Sequence, residues 1–105
     1  MRGRRKGAGA RLDLYWSRFN KWDKYLLVGD VEGGLRDLEN LYDEVFDFEP
    51  TTNYERVDKD NLLNQIATII ADFFIEDEYE RLDWAWLANY HMEDYLYYRE
   101  NKGEH

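Results

Sequence analysis

Carboxylates are the side chains of this sequence whose number and spacing could carry chemistry. Glu39, Asp43 and Asp47 recur every four residues, a spacing that places them in one row along a helix. Arg36 is the only basic residue between Asp30 and Thr52. Like charges without basic partners repel each other and destabilise the folded state, so the retention of these acids favours a binding role. The sequence predicts an acidic partner-binding surface with two concentrations of acids: Asp37, Glu39, Asp43, Glu44 and Asp47, and then Asp72, Glu76, Asp77, Glu78, Glu80 and Asp83.

Catalytic constellations are missing from the sequence. There is no cysteine, Ser17 is the only serine, and the two histidines are His91 and the terminal His105. Neither the Glu-x-x-His step of carboxylate di-metal sites nor a phosphate-binding loop is present. We therefore expect a protein that is not an enzyme and that uses no cofactor and no metal.

The net charge of −9 is unevenly distributed. Residues 1–12 hold five basic groups and no acid, whereas the rest of the chain holds all 23 acids. Residues 1–10 are predicted to be a flexible basic tail. Direct nucleic-acid binding through that tail is an alternative, but the acidic body would repel phosphates, so the sequence predicts no nucleic-acid ligand.

No secretory signal is evident in the sequence. The most apolar run, 62–75, is too short to span a membrane. We therefore expect a soluble cytoplasmic protein in a bacterium or phage-infected cell.

Rows of carboxylates on a rigid helical body can imitate the phosphates of duplex DNA. The predicted partner is accordingly the basic surface of a nuclease or another nucleic-acid-binding protein. In size, acidity and aromatic content the chain resembles the small acidic inhibitors with which phages block restriction or CRISPR nucleases. That resemblance implies a non-catalytic DNA mimic of the anti-CRISPR or anti-restriction type.

The aromatic content supports a second hypothesis. Aromatic residues make up 17% of the chain, more than a core of this size holds, so some should lie at the surface. The alternative function is a helical protein–protein adaptor or an oligomer subunit, of which a homodimer is one form. The candidate aromatic anchors are Tyr95, Tyr97 and Tyr98.

Apolar residues at three- and four-residue steps predict an all-α fold, a compact bundle of about four helices. The bundle is predicted to form a single domain over residues 11–100, followed by a frayed end at 101–105. Asp13 is the predicted cap of the first helix. A strand over 24–28 is the competing local interpretation. The first apolar stripe comprises Leu12, Tyr15 or Trp16, Phe19, Trp22 and Leu26.

The segment 29–38 resembles the turn between the two helices of a tetratricopeptide repeat, which implies an αα-hairpin. Gly29 is the predicted helix stop, and Asp30 is the predicted cap of the next helix. Small residues at Gly33 and Gly34 would let the preceding helix approach closely. The second helix ends before Pro50, and its apolar stripe is Val31, Leu35, Leu38, Tyr42 and Val45.

Two further helices complete the predicted bundle. Residues 51–56 are predicted to be a connector, and Asp58 or Asp60 is the predicted cap of a central third helix. The apolar stripe of that helix is Leu62 or Leu63, Ile66, Ile69 or Ile70, and Phe73. The acids at 76–78 mark a break, where carboxylates suit a helix N-terminus. The fourth helix is predicted over 79–99, with an inward stripe of Leu82, Trp86, Tyr90, Met92 and Leu96.

Overall fold

The computed structural model describes residues 8–90, and it describes side chains for residues 11–88. The all-α fold is confirmed over this range, in which no strand occurs. The elements are α1 (Ala8–Phe19), α2 (Asp23–Leu27), α3 (Val31–Asp47), α4 (Asn53–Ile69), a π-helical segment (Ile70–Phe74) and α5 (Glu78–Tyr90). None of these helices is long and apolar enough to cross a membrane.

The helix predicted first is two helices, and it starts earlier than predicted. Residues 8–10 belong to α1 and not to the tail predicted for 1–10, so the prediction of Asp13 as the cap is wrong. The break comes after Phe19, whose carbonyl accepts a hydrogen bond from the Trp22 amide three residues on, at 3.1 Å. The predicted stripe is confirmed in α1, because Leu12, Tyr15 and Phe19 are buried. The segment 24–28 is helical and not a strand.

The turn between α2 and α3 has the predicted chemistry. Gly29 has a φ of 77°, the left-handed conformation that glycine adopts without strain. The Gly33 amide donates to Asp30 Oδ1 at 3.0 Å, which makes Asp30 the N-cap of α3. A Cβ atom on Gly34 would lie 2.8 Å from Tyr25 Cβ, so the predicted close approach is confirmed there.

The central helix begins well before the predicted caps. Thr52 is the N-cap of α4, and its Oγ1 accepts a hydrogen bond from the Glu55 amide at 3.1 Å. The buried Glu55 carboxylate reaches back to the Thr51 amide at 2.8 Å. The predictions of a connector over 51–56 and of Asp58 or Asp60 as the cap are therefore wrong. Asp58 instead accepts a hydrogen bond from the indole of Trp16 at 3.0 Å and ties α1 to α4.

The core is built around α4, which packs against α1, α3 and α5. This confirms its predicted central position. The π-helical segment at its end inserts an extra residue in the turn and rotates the side chains beyond it about the helix axis. Phe74 is thereby buried and Phe73 is 50% exposed, so the predicted inward position of Phe73 is wrong. Phe73 packs instead against the ring of Trp22, with centroids 4.9 Å apart.

The last described helix presents the face opposite to the one predicted. Its break at 76–78 is confirmed, because α5 begins at Glu78 and Asp77 Oδ2 accepts from the Glu80 amide at 3.0 Å. Leu82 and Trp86 are 58% and 53% exposed, so the prediction that they face inward is wrong. The side chains of Tyr90, Met92 and Leu96 lie outside those described. The residues that α5 buries are Trp84, Leu87 and Ala88.

Candidate protein-binding surface

The acids of α3 are divided between two sides of the helix. On the side next to α1, Arg18 Nη1 donates to Glu44 Oε1 at 2.9 Å, and Arg18 Nη2 lies 3.7 Å from Asp37 Oδ1. The hydrogen bond to Glu44 raises the pKa of Arg18. The expectation that the acids of this region lack basic partners is therefore wrong for Asp37 and Glu44, because the partner comes from another helix.

Asp37 is further held by the helix that precedes α3. The Tyr25 hydroxyl donates to Asp37 Oδ2 at 2.9 Å, and this hydrogen bond raises the pKa of Tyr25. Asp37 and Glu44 thus connect α1, α2 and α3 within the fold. Their carboxylates therefore have a structural role in holding these helices together.

The other side of α3 carries the predicted row. Glu39 and Asp47 are exposed and Asp43 is half-buried. Their four-residue spacing on a continuous helix confirms that they share one face.

Glu39 is joined at this side by two acids of α5. It lines a small cleft of about 90 Å³ together with Glu80 and Asp83. None of the described basic residues lines this cleft, and its apolar lining residues are Leu35, Ile75 and Trp84. We call this feature the acidic cleft. It is the point where the two predicted concentrations of acids meet.

Packing fixes the two helices that form the acidic cleft. The ring of Tyr42, buried on α3, packs edge-to-face on Trp84 of α5 with centroids 5.4 Å apart. The side-chain amide of Asn64 donates to the Ala88 carbonyl and attaches α5 to α4. Asp77 caps the start of α5. The carboxylates are therefore carried on helices whose relative position is set by buried contacts.

The remaining acids of the second concentration do not join the cleft. Asp77 is used as the helix cap, while Glu76 and Glu78 are exposed at the start of α5. Asp72 lies beside a separate hollow that it shares with Asn64 and Thr68. Among the described residues, no group of three or more histidine or acidic side chains is arranged to hold a metal ion. The carboxylates of the acidic cleft therefore do not converge on one point.

Two exposed helix faces were missed by sequence reasoning. On α5, Tyr79, Leu82 and Trp86 are 79%, 58% and 53% exposed. On α1 and the turn after it, a shallow groove of about 610 Å³ is lined by Arg11, Leu14, Arg18 and Lys21. The signal for the first lay in α5 itself, whose apolar residues are too many for a single stripe. The predicted anchors Tyr95, Tyr97 and Tyr98 lie outside the described residues.

The chain matches no protein-family model, no curated protein and no solved structure.

Proposed function

We propose that this chain is a non-catalytic binding protein that uses the acidic cleft between α3 and α5 to engage lysine and arginine side chains of a basic protein surface. The observation that carries the proposal is the meeting of Glu39, Glu80 and Asp83 around a cleft whose described lining includes no basic residue. Single acids scattered over a surface would need no such explanation, because solvated charge keeps any protein soluble.

The chemistry of the cleft suits a cationic side chain. Lysine and arginine bring an apolar stem and a charged head, and such residues bury the stem while the head stays with polar groups. Leu35 and Trp84 offer apolar surface to the stem. The carboxylates that line the cleft accept hydrogen bonds from the head, and such charge-assisted bonds are about twice as strong as neutral ones.

The narrower proposal is that the partner handles nucleic acid. A protein that binds duplex DNA presents arginine and lysine at the spacing of phosphates a few ångströms apart. Glu39, Asp43 and Asp47 extend the acidic cleft along α3 as a row of this kind. A nuclease or other DNA-binding protein whose groove accepts this row would be inhibited, as restriction and CRISPR nucleases are by acidic mimics.

Affinity capture from bacterial lysate tests the proposal. The test variant, Glu39→Gln with Glu80→Gln and Asp83→Asn, removes the three cleft charges without changing side-chain size. The matched control, Asp23→Asn with Glu32→Gln and Glu49→Gln, removes three exposed charges elsewhere. We expect the wild type and the control to retain a DNA-binding protein that high salt or duplex DNA releases, and the test variant to lose it.

Equal capture by both variants would reject the acidic cleft as the binding site. A partner that duplex DNA fails to displace would reject DNA mimicry while leaving a protein-binding role. A partner retained in high salt would favour the second candidate, a helical adaptor or oligomer subunit. The specific observation in favour of that candidate is the exposure of Leu82 and Trp86 on α5.

A further inference from the structure

The outer face of α5 is unusually apolar for a helix at a protein surface. Tyr79, Leu82 and Trp86 are spaced three and four residues apart, so they lie on one face of the helix. More than half of each side chain is exposed. Surface helices normally direct polar residues to solvent, and an apolar stripe with a charged rim is typical of an interaction site.

The rim of this stripe is acidic. Glu78 and Asp83 belong to the same helix, and both are exposed. Their positions in the helical repeat place them on either side of the line from Tyr79 to Leu82. The chemistry that complements such a face is a helix with exposed aliphatic and basic residues.

A helix with that chemistry is present in the chain itself. On α1 and the turn after it, Arg11, Leu14, Arg18 and Lys21 recur at steps of three and four residues and are exposed, and Leu14 is 65% exposed. They line one groove, to which Glu44 of α3 contributes the only acid among the described residues. The outer face of α1 is therefore basic around an aliphatic centre, whereas that of α5 is acidic around an aromatic and aliphatic centre.

One copy of the chain cannot bring these two faces together. The inner face of α1 packs on α3 and α4, and α5 packs on α4 and the π-helical segment. Leu12, Phe19, Trp84 and Leu87 are buried in those contacts, so both outer faces point away from the core. A second copy of the chain can bring an α1 face and an α5 face together, because it presents both faces as well.

We propose that the chain self-associates, with the outer face of α1 in one copy docked on the outer face of α5 in another. A twofold axis repeats this contact reciprocally, so that two copies satisfy both pairs of faces and the assembly closes as a dimer. Leu14 then meets Leu82 and Trp86, while Arg11 and Lys21 meet Glu78 and Asp83. This inference does not rest on the proposed function: the two surfaces share Asp83, but Glu39 and Glu80 of the acidic cleft take no part in the dimer contact.

Sedimentation velocity across the micromolar to millimolar range tests the proposal on the full chain. The α1 variant, Leu14→Glu with Lys21→Glu, makes the α1 face acidic. The α5 variant, Tyr79→Lys with Leu82→Lys, makes the α5 face basic and leaves the cleft carboxylates in place. We expect the wild type to dimerise and each variant to raise the dissociation constant by about tenfold or more.

A matched control separates this effect from a general change of charge. Tyr54 and Val57 on α4 are 64% and 58% exposed at the same three-residue spacing as Tyr79 and Leu82. The variant Tyr54→Lys with Val57→Lys should dimerise like the wild type. Far-UV circular dichroism should show that all variants retain their helical content, since every substituted side chain is largely exposed.

Mixing the two variants distinguishes this contact from other dimers. The α1 variant keeps a native α5 face, and the α5 variant keeps a native α1 face, so the mixture should form a heterodimer that neither forms alone. A monomeric wild type at every concentration would overturn the proposal. So would an α1 variant that dimerises normally, or a mixture that stays monomeric, because either result would place the contact elsewhere.

Discussion

Lys59 Nζ lies 2.7 Å from the carbonyl oxygen of Phe48 and donates a hydrogen bond to it, deep in the interior. A second hydrogen bond reaches the Phe46 carbonyl at 2.8 Å. These carbonyls stand at the C-terminal end of α3, where no further helical turn provides donors. The ammonium group therefore caps α3 from α4. Burial lowers the pKa of Lys59, an effect that the nearby Glu49, Asp60 and Asp47 oppose.

Replacing Lys59 by methionine should remove this cap while preserving the aliphatic stem. Two carbonyls would lose their donor in a buried position, at about 1–3 kcal/mol each. We expect the free energy of unfolding in urea to fall by about 2–6 kcal/mol. Lys21→Met, at an exposed lysine, is the control and should change it by less than about 0.5 kcal/mol. Equal effects would show that Lys59 does not cap α3.

Gly34 is the position where α3 allows no side chain. A Cβ atom would lie 2.5 Å from Phe74 Cε1 and 2.8 Å from Tyr25 Cβ, and the latter contact is too close to the backbone to be relieved by rotation. Gly34→Ala should therefore destabilise the fold by about 1–3 kcal/mol, although alanine favours helices. At Gly33 the atoms nearest to an added Cβ belong to the Asp30 side chain, which can rotate away at the cost of its cap hydrogen bond, so Gly33→Ala should be milder. The midpoints of thermal unfolding compare them, and the reverse order would contradict this packing.

The ion pair between Arg18 and Glu44 should contribute little to stability. Their side chains are 39% and 46% exposed, and such pairs typically contribute less than about 1 kcal/mol. A double-mutant cycle with Arg18→Met and Glu44→Gln measures the coupling in urea unfolding. We expect about 0.2–1 kcal/mol, decreasing as salt is added. A coupling above about 2 kcal/mol would mean that the pair organises the fold and does not merely tether two helices.

Tyr42 should make the fold sensitive to alkaline pH. Burial raises the pKa of Tyr42 in the folded state, and the nearby Asp43 and Asp60 add to this increase. The unfolded chain ionises its tyrosines near pH 10, so it holds fewer protons than the folded chain above that value, and stability falls as the pH rises. Tyr42 alone should cost about 1.4 kcal/mol between pH 8 and 11.

Urea unfolding of Tyr42→Phe at both pH values checks this expectation. The variant has no hydroxyl to ionise, so its stability should fall by about 1.4 kcal/mol less than that of the wild type over the same interval. Other tyrosines and lysines titrate in both proteins and cancel in the comparison. Identical pH dependence would show that Tyr42 ionises as readily in the folded chain as in the unfolded one.

Local signals in the sequence predicted the structure where a backbone position requires a particular type of residue. Gly29 and Asp30 predict the turn before α3, because a left-handed residue and a capping oxygen are needed at those places. The start of α4 was predictable as well: Thr52 and Glu55 form the threonine-x-x-glutamate pattern of a capping box. The prediction instead placed the cap at Asp58 or Asp60, because aspartate is also a common capping residue.

The sequence by itself determined the all-helical fold, the buried stripe of α1, the buried positions Leu38, Tyr42 and Val45 of α3 and the excess of acids, because periodicity and charge are properties of neighbouring residues. Val31, predicted in the same stripe, is exposed because it lies in the first turn of α3. Only the tertiary structure decided that Glu39 meets Glu80 and Asp83, and that Arg18 pairs with Glu44. It also decided which of two apolar faces α5 would bury. That choice results from the packing of Trp84 on Tyr42, a contact between residues 42 positions apart in the chain, which no local pattern encodes.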